Sequence, residues 1–301
     1  MKNYILCSII LCIILLIFFK EVYMLKTLHI IRRVIKKYDL YPIINVYDKS
    51  NPTDYDLINL TNYNNLPNLD DYENIPNILF QTYYNKEKVP DYIYSNIYKY
   101  AKKYKYVFFD DTDAIIFLTK YFNKIVVKRF KEFKIGAHKA DLLRYCFLYV
   151  YGGIYLDIKT ILIKPLDEIF TNSKYFYTCI IDFNTVLYNG IIASKPRNKL
   201  FLQLIWYMID IKLYDIIEYT KLTYLKFCKD FYVKIQKDLI NSDKLTPGLH
   251  IGITQNYYLF QEHSLFDLSS ECVKFDRYGG CISIYDKNDK IFIGRDPLFP
   301  W

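Results

Sequence analysis

The hydrophobic and polar positions along the chain switch between short apolar runs and longer stretches in which apolar residues recur at helical spacing. The apolar runs at 75–82 and 106–109 end in polar residues and predict two buried strands. Helical spacing predicts helices at 90–103, 112–122, 201–212 and 214–239. Strands that alternate with helices favour an α/β fold with a mostly parallel sheet flanked by helices, and a binding site at the carboxyl ends of the strands.

The beginning of the chain has a different pattern, an uncharged run of 16 residues from Tyr4 to Phe19 that lies between Lys2 and Lys20. A membrane-spanning helix usually needs about 20 apolar residues, and about 17 is near the lower limit. We therefore predict a single-pass membrane anchor within residues 1–25. A cleaved signal peptide is the alternative, although no small-x-small cleavage site follows the run.

The residues after the anchor leave its orientation open. Lysines and arginines are more numerous after the apolar run than before it, which places the body of the protein in the cytosol under the positive-inside rule. The sequence Asn59-Leu60-Thr61 is a possible N-glycosylation acceptor, and its use would place the body in the lumen. Residues 26–72 are rich in Asn, Asp, Tyr and Pro and are predicted to be a stem or linker, which leaves residues 73–301 as the folded domain.

Composition narrows the class of protein. Hydrophobic residues make up 52% of the 301 residues, and only 9 Gly and 10 Pro are present, which excludes a disordered or collagen-like chain. The net charge is +8, but the lysines are spread along the chain without an arginine-rich block, so we predict no nucleic-acid binding. Lys, Asn, Ile, Tyr and Phe have A/T-rich codons, and their abundance indicates an AT-rich genome, such as that of a large DNA virus or a protist.

The stretch 136–160 carries the strongest chemical signal. Its apolar residues predict a helix that Gly152-Gly153 ends, followed by a short buried strand and then Asp157. Asp141 and Arg144 are three positions apart and therefore share one face of that helix. With Asp157 they would meet at one strand end, where they could hold sugar hydroxyls and a phosphate or a metal. The alternative is a surface ion pair beside an aspartate in a turn.

This stretch resembles the core motif of the DXD-containing glycosyltransferases of family 32, the group related to the yeast initiating mannosyltransferase and the glucosylating bacterial toxins. The family pattern is a basic-Ala/Ser-Asp-x-x-Arg-Tyr helix followed by Tyr-Gly-Gly-x-Tyr-x-Asp-x-Asp. The matching positions are Lys139-Ala140-Asp141, Arg144-Tyr145, Tyr151-Gly152-Gly153, Tyr155 and Asp157. Looser similarity includes 75–82, Phe109-Asp110-Asp111, Pro165-Leu166-Asp167 and Tyr188-Asn189-Gly190.

The resemblance implies a GT-A fold, a nucleotide-sugar donor, and transfer of a hexose-type sugar, with retention, to a hydroxyl of a glycan or protein acceptor. It implies that Asp141 and Arg144 hold the donor sugar and that Asp157 contacts the ribose and a metal. The other donor-binding candidates are Tyr145, Gln81, Asn189 and His250. Such an anchored enzyme would lie in the secretory pathway, at the Golgi or endoplasmic reticulum, or at a virus-associated host membrane. The alternative is a catalytically inactive, membrane-tethered module that binds a glycan or a nucleotide.

The chain departs from the family pattern at the opening histidine, which is Phe80 here, and at two places that bear on the candidate site. The second aspartate of the DXD motif is Lys159, which removes a ligand of the divalent cation, Mn²⁺, that the resemblance implies. Three interpretations stay open: Lys159 acts beside Asp157 and neutralises the leaving diphosphate, Asp157 and other carboxylates hold the metal, or the site is inactive. His250 follows an altered Thr-Gly-Pro segment, and we place it in a loop before a helix, either as a site residue or as a structural histidine.

Overall fold

The computed structural model describes residues 52–181, 186–210, 221–240, 244–264 and 282–293. Residues 1–25, for which we predict a membrane anchor, lie outside these ranges. Within the described ranges, no helix combines the length and apolar character that a membrane span requires. The residues in these described ranges belong to one compact unit.

The helices predicted at 90–103 and 112–122 and before Gly152 are confirmed, and those predicted at 201–212 and 214–239 are confirmed except for residues 211–220, which lie outside the described ranges. In the described ranges the helices are α1 (Asp54–Ile58), α2 (Asp91–Tyr100), α3 (Asp111–Tyr121), α4 (Lys124–Glu132), α5 (Gly136–Tyr151), α6 (Leu166–Ile169), α7 (Lys199–Asp210) and α8 (Lys221–Asp238). The side chain of Asp110 caps the start of α3 by accepting hydrogen bonds from the backbone of Thr112 and Asp113. Because Asp110 is the only residue between β2 and α3, Asp111 lies close to the carboxyl end of β2.

The strands of the described ranges form one mixed sheet. They are β1 (Ile78–Thr82), β2 (Lys105–Phe109), β3 (Gly153–Leu156), β4 (Ile161–Leu162), β5 (Phe176–Ile180), β6 (Leu187–Ser194), β7 (Gly248–Ile251), β8 (Asn256–Ser264), β9 (Ile282–Asp286) and β10 (Asp289–Ile293). Their order is β2-β1-β3-β6-β5-β8-β9-β10-β4, and β7 pairs with β8. Both strands predicted at 75–82 and 106–109 are confirmed as β1 and β2.

The prediction of a mostly parallel sheet is wrong. Strand β1 runs parallel to β2 and β3, and β5 runs parallel to β8, but the other pairs are antiparallel. The physical reason is the length of the connections: β5–β6 and β9–β10 are joined too closely for the crossover that parallel neighbours require. Three adjacent strands, β2-β1-β3, run parallel to one another, and the candidate site lies at their carboxyl ends.

Helix α5 packs across the sheet and orients the strand that follows it. The Phe147 ring stacks on Phe80 of β1 with centroids 3.9 Å apart. Gly152 and Gly153 then adopt φ values of +67° and +98°, and a Cβ on Gly153 would lie 2.6 Å from the carbonyl oxygen of Ile78. The glycine pair therefore ends α5 and lets β3 lie directly beside β1.

The part of the predicted stem that the structure describes, residues 52–72, packs on the domain. Leu57 and Leu60 are buried in the hydrophobic core. The backbone N–H of Asn62 donates a hydrogen bond of 2.9 Å to the carbonyl oxygen of Tyr121. The compact unit thus starts before the predicted boundary at residue 73, because the short helix α1 contributes apolar side chains that composition alone did not distinguish from a linker.

Candidate functional site

Three elements converge on a cavity of about 260 Å³. The residues that follow β1, including Tyr83 and Tyr84, form one wall, and Gly136 and Ala137 in the first turn of α5 form another. The segment 157–159, which follows β3, forms the third. The cavity therefore lies at the carboxyl ends of parallel strands and at a helix N-terminus, which is where α/β proteins commonly bind ligands with phosphate groups.

Arg144 is the buried cation of this site. Its side chain is 3% exposed, and its Nη2 atom lies 3.0 Å from Oδ1 of Asp141 and 3.2 Å from Oδ1 of Asp157. Its guanidinium carbon lies 4.3 Å from the centroid of the Tyr155 ring. Burial alone lowers the pKa of Arg144, but the interactions with Tyr155, Asp141 and Asp157 outweigh it and raise the pKa well above its ordinary value. The guanidinium is therefore a permanent positive charge.

Asp157 is held on both carboxylate oxygens. The Tyr155 hydroxyl donates to Oδ1 at 2.8 Å, and the Tyr188 hydroxyl donates to Oδ2 at 3.2 Å. Its backbone N–H donates to the carbonyl oxygen of Gly190 at 2.8 Å, and its own carbonyl oxygen accepts from Nε2 of Gln81 at 3.2 Å. The side chain is still 30% exposed, so this carboxylate is both fixed and accessible to a ligand.

A layer of buried polar side chains lies behind Arg144, on the side away from the cavity. Nδ2 of Asn189 donates to Oδ1 of Asp141 at 3.0 Å and to the Tyr145 hydroxyl at 3.1 Å. The Asn189 carbonyl oxygen accepts from Nη1 of Arg144. Buried polar groups are costly when they have no partners, and these mutual hydrogen bonds fix the orientation of the guanidinium.

Lysines supply the other positive charges of the cavity. Lys159 lies in the turn after β3 and lines the cavity together with Asp157. Lys139, on the first turn of α5, lines it as well and forms a salt bridge with Asp111. The cavity lining therefore combines three cations with two carboxylates.

The residues of this site do not fit the divalent cation that the resemblance implies. In the ranges that the structure describes, no three His, Cys, Asp or Glu side chains come together as a possible metal site. Asp157 lines the cavity, but tyrosine hydroxyls and Arg144 already engage its oxygens. Oxygen-ligated cations need several such ligands, and a guanidinium at 3.2 Å opposes a second cation.

The structure brings seven of the eight predicted site residues into one region, but in two layers. Arg144, Asp157 and Lys159 line the cavity. The buried layer behind them holds Asp141, Asn189, Tyr145 and Gln81. These four residues lie behind the cavity residues, and their direct contact with a donor stays a prediction.

His250 is the predicted residue that the structure does not place with the others. It lies on β7, where it pairs with Tyr257 of β8, so the prediction of a loop before a helix is wrong. Its Nε2 atom lies 2.6 Å from the carbonyl oxygen of Thr246. The imidazole thus closes the local turn before β7, which is the structural alternative.

Several residues of the site were missing from the predicted set. Tyr188 and Asp111 stood in segments that resemble the family, but nothing in the sequence showed that the Tyr188 hydroxyl reaches Asp157 or that Asp111 holds Lys139. Phe130 of α4 lines the cavity and has no sequence signal at all. Such contacts join residues distant in sequence and are decided by packing.

Gly190 is expected to be intolerant of any side chain. A Cβ at this position would lie 2.4 Å from the Tyr188 hydroxyl and 2.7 Å from Oδ2 of Asp157. We expect Gly190→Ala to lower the free energy of unfolding by about 1–3 kcal/mol in urea denaturation. Gly136→Ala is the matched control, because no atom lies within 4 Å of a Cβ there and its stability should be maintained. Equal losses for the two variants would contradict the steric explanation.

The tyrosines that hold Asp157 should make the domain sensitive to alkali. Burial raises the pKa of Tyr155 and of Tyr188 well above the ordinary value of 10.0. The folded state then keeps protons that the unfolded state releases, so stability is complete below about pH 10 and falls as the pH rises further. We expect the slope in urea denaturation to approach about 1.4 kcal/mol per pH unit for each such tyrosine above about pH 10. The variant Tyr188→Phe should reduce the slope, and an unchanged slope would contradict this account.

Comparison with known proteins agrees with the family resemblance that the sequence motifs show. The family model described as a glycosyltransferase sugar-binding region containing DXD motif matches residues 86–176. An uncharacterised glycosyltransferase of Acanthamoeba polyphaga mimivirus is 32% identical over 110 residues, which cover 36% of this chain and 43% of that protein. The initiation-specific alpha-1,6-mannosyltransferase of Saccharomyces cerevisiae is 38% identical over 87 residues, 28% of this chain and 18% of the yeast protein.

A second yeast relative agrees. The initiation-specific alpha-1,6-mannosyltransferase of Candida albicans is 32% identical over 73 residues, which cover 24% of this chain and 19% of that protein. The chain therefore matches less than half the length of each of these relatives. The mixed α/β fold is compatible with a GT-A-like glycosyltransferase. Residues 86–176 are thus similar to the sugar-binding region of the DXD-containing glycosyltransferases.

Proposed function

We propose that the protein is a glycosyltransferase that moves a hexose-type sugar, with retention, from a nucleotide-sugar donor to a hydroxyl of a glycan or protein acceptor. The observation that carries the proposal is the position of the Arg144–Asp157 pair, 3.2 Å apart in a cavity at the carboxyl ends of β1 and β3. The family match and the transferases among the relatives support it. The alternative is a catalytically inactive binding module, which would bind a donor without releasing nucleoside diphosphate.

In the proposed reaction the acceptor hydroxyl oxygen forms a bond to the anomeric carbon of the donor sugar. The bond from that carbon to the diphosphate oxygen breaks, and its electron pair stays with the leaving nucleoside diphosphate. The hydroxyl proton passes to the diphosphate, so that charge and atoms balance. Asp157 accepts hydrogen bonds from sugar or ribose hydroxyls at its exposed edge, and the fixed guanidinium of Arg144 holds that carboxylate in its orientation.

Mannose is the first sugar to test, because two relatives are named as mannosyltransferases. The experiment incubates the purified full-length chain with GDP-mannose and a panel of UDP-sugars, with and without oligosaccharide acceptors, and measures the nucleoside diphosphate released. We expect turnover of one donor, with GDP-mannose preferred. Thermal stabilisation by a donor without any release of diphosphate would favour the binding module instead.

We also propose that residues 1–25 attach the enzyme to a membrane of the secretory pathway or to a virus-associated host membrane. Asn59 is exposed on the domain, in the turn after α1, which suits a glycosylation acceptor. A glycan on Asn59 in a eukaryotic expression host, detected as a mass loss with glycosidase, would place the domain in the lumen. Its absence, while a sequon engineered before residue 4 is glycosylated, would place the domain in the cytosol.

A further inference from the structure

We propose that Lys159 replaces the divalent cation of this site and neutralises the donor diphosphate directly, so that the protein binds nucleoside diphosphates without a metal. This inference rests on the proposed function, because it assumes a nucleotide-sugar donor. DXD-motif glycosyltransferases generally use a divalent cation, and the family matched by residues 86–176 is defined by that motif. The chain departs from the motif at its second aspartate.

The position of Lys159 suits a contact with phosphate. A hydrogen bond of 2.9 Å from the Thr160 N–H to the Asp157 carbonyl oxygen closes the turn in which Lys159 lies. The Lys159 side chain is partly buried and lines the same cavity as Asp157 and Arg144. The closed turn fixes the Lys159 backbone at the rim of the parallel strands, so that its side chain starts beside the cavity.

Lys159 carries the same net charge as the aspartate and bound divalent cation that it replaces. An aspartate carries one negative charge, and a divalent cation bound to it carries two positive charges, so the pair presents a net charge of one positive unit. A lysine presents the same net charge by itself. The exchange therefore conserves the charge available to the diphosphate, while it removes the carboxylate that would hold the cation.

The rest of the cavity lining points the same way. Its charged residues are the cations Lys139, Arg144 and Lys159 and the carboxylates Asp111 and Asp157, so the lining has a net charge of one positive unit. An aspartate at position 159 would make the net charge of the lining one negative unit, which opposes a diphosphate unless a cation is present. Gly136 and Ala137, at the N-terminus of the 16-residue helix α5, add the positive end of the helix dipole.

The test measures equilibrium binding of GDP and of UDP to the full-length chain by titration calorimetry, in chelator and in excess Mn²⁺. We expect the Kd of the native protein for the preferred nucleotide to differ by less than about twofold between the two conditions. Lys159→Ala should raise the Kd about tenfold in both conditions, since it removes one charge-assisted contact. Lys159→Asp restores the motif, so its binding should be weaker still in chelator and should recover when Mn²⁺ is added.

The matched control is Lys128→Asp, which makes the same charge change at a side chain that is 76% exposed on α4 and outside the cavity. It should bind like the native protein, and a similar loss there would overturn the inference by showing that net charge alone is responsible. Binding by the native protein that requires Mn²⁺, or unchanged binding by Lys159→Ala, would also overturn it and would leave the proposed function intact. A protein that binds neither nucleotide under any condition would overturn both. Thermal unfolding of each variant checks that the fold is retained.

Discussion

Replacing Asp157 with asparagine should reduce kcat/KM for sugar transfer about 1000-fold while the domain stays folded. The substitution keeps the size of the side chain but removes the charge that faces Arg144 at 3.2 Å. One carboxylate oxygen also becomes an NH₂ group that can no longer accept a hydrogen bond from Tyr155 or Tyr188. The carboxylate is the part of the site that is both fixed and exposed, so a ligand loses its charged acceptor.

The measurement is the initial rate of nucleoside diphosphate release with the preferred donor and acceptor, together with the thermal unfolding midpoint. Asp286→Asn is the matched control, because Asp286 accepts a hydrogen bond of 2.7 Å from the Tyr258 hydroxyl in another part of the sheet. It has the same chemistry but no contact with the cavity lining, and its rate should stay within about twofold of the native rate. A similar rate for Asp157→Asn and the native protein would remove this residue from the reaction.

Replacing Arg144 with methionine should lower the free energy of unfolding by about 3–5 kcal/mol. The guanidinium and the carboxylate of Asp141 are each 3% exposed, so the substitution leaves a buried negative charge without its counter-ion. The pKa of Arg144 is raised by Tyr155, Asp141 and Asp157 against the opposing effect of burial, which indicates that these neighbours favour a cation here. Methionine fills a similar volume, so the loss reports charge and hydrogen bonding more than packing.

Urea denaturation of two further variants separates these contributions. Lys128→Met removes an exposed partner of Glu132 and should change the free energy of unfolding by no more than about 0.5 kcal/mol. Combining Arg144→Met with Asp141→Asn removes the unpaired charge and should regain part of the lost stability. A single Arg144→Met variant that loses less than about 1 kcal/mol would show that Asp141 and Asp157 do not depend on this cation.

The local elements of the fold were predictable because their signals are local. Strands β1 and β2 and the end of α5 at Gly152 follow from apolar runs, helical spacing and a glycine pair. The mixed direction of the sheet was not predictable in this way, because hydrophobic spacing does not encode whether a neighbouring strand runs parallel or antiparallel. Nor was the burial of Leu57 and Leu60, which depends on a core formed by residues far along the chain.

The candidate site was also predictable only in part. Asp141, Arg144 and Asp157 were predicted to meet at one strand end, and the structure shows Arg144 between the two carboxylates. The sequence did not show which of these residues lines the cavity. In the structure, Asp141 is buried behind Arg144, and Asp157 lines the cavity. His250 was assigned by its place in a similar segment, and its contact with Thr246 gives it a local structural role.

By itself the sequence determined the chemistry available: a glycine-terminated helix, an aspartate at the end of a short strand, and a lysine two positions later where the family motif has a carboxylate. These features depend on neighbours along the chain and on the properties of single side chains. Only the tertiary structure decided how those groups are used, because burial and contacts across the sheet set which charges are paired and which line the cavity. The antiparallel return of β6 brings Tyr188 to one oxygen of Asp157, while α5 brings Arg144 to the other. Charge interactions depend on such distances and on exclusion of water, and the folded chain sets both.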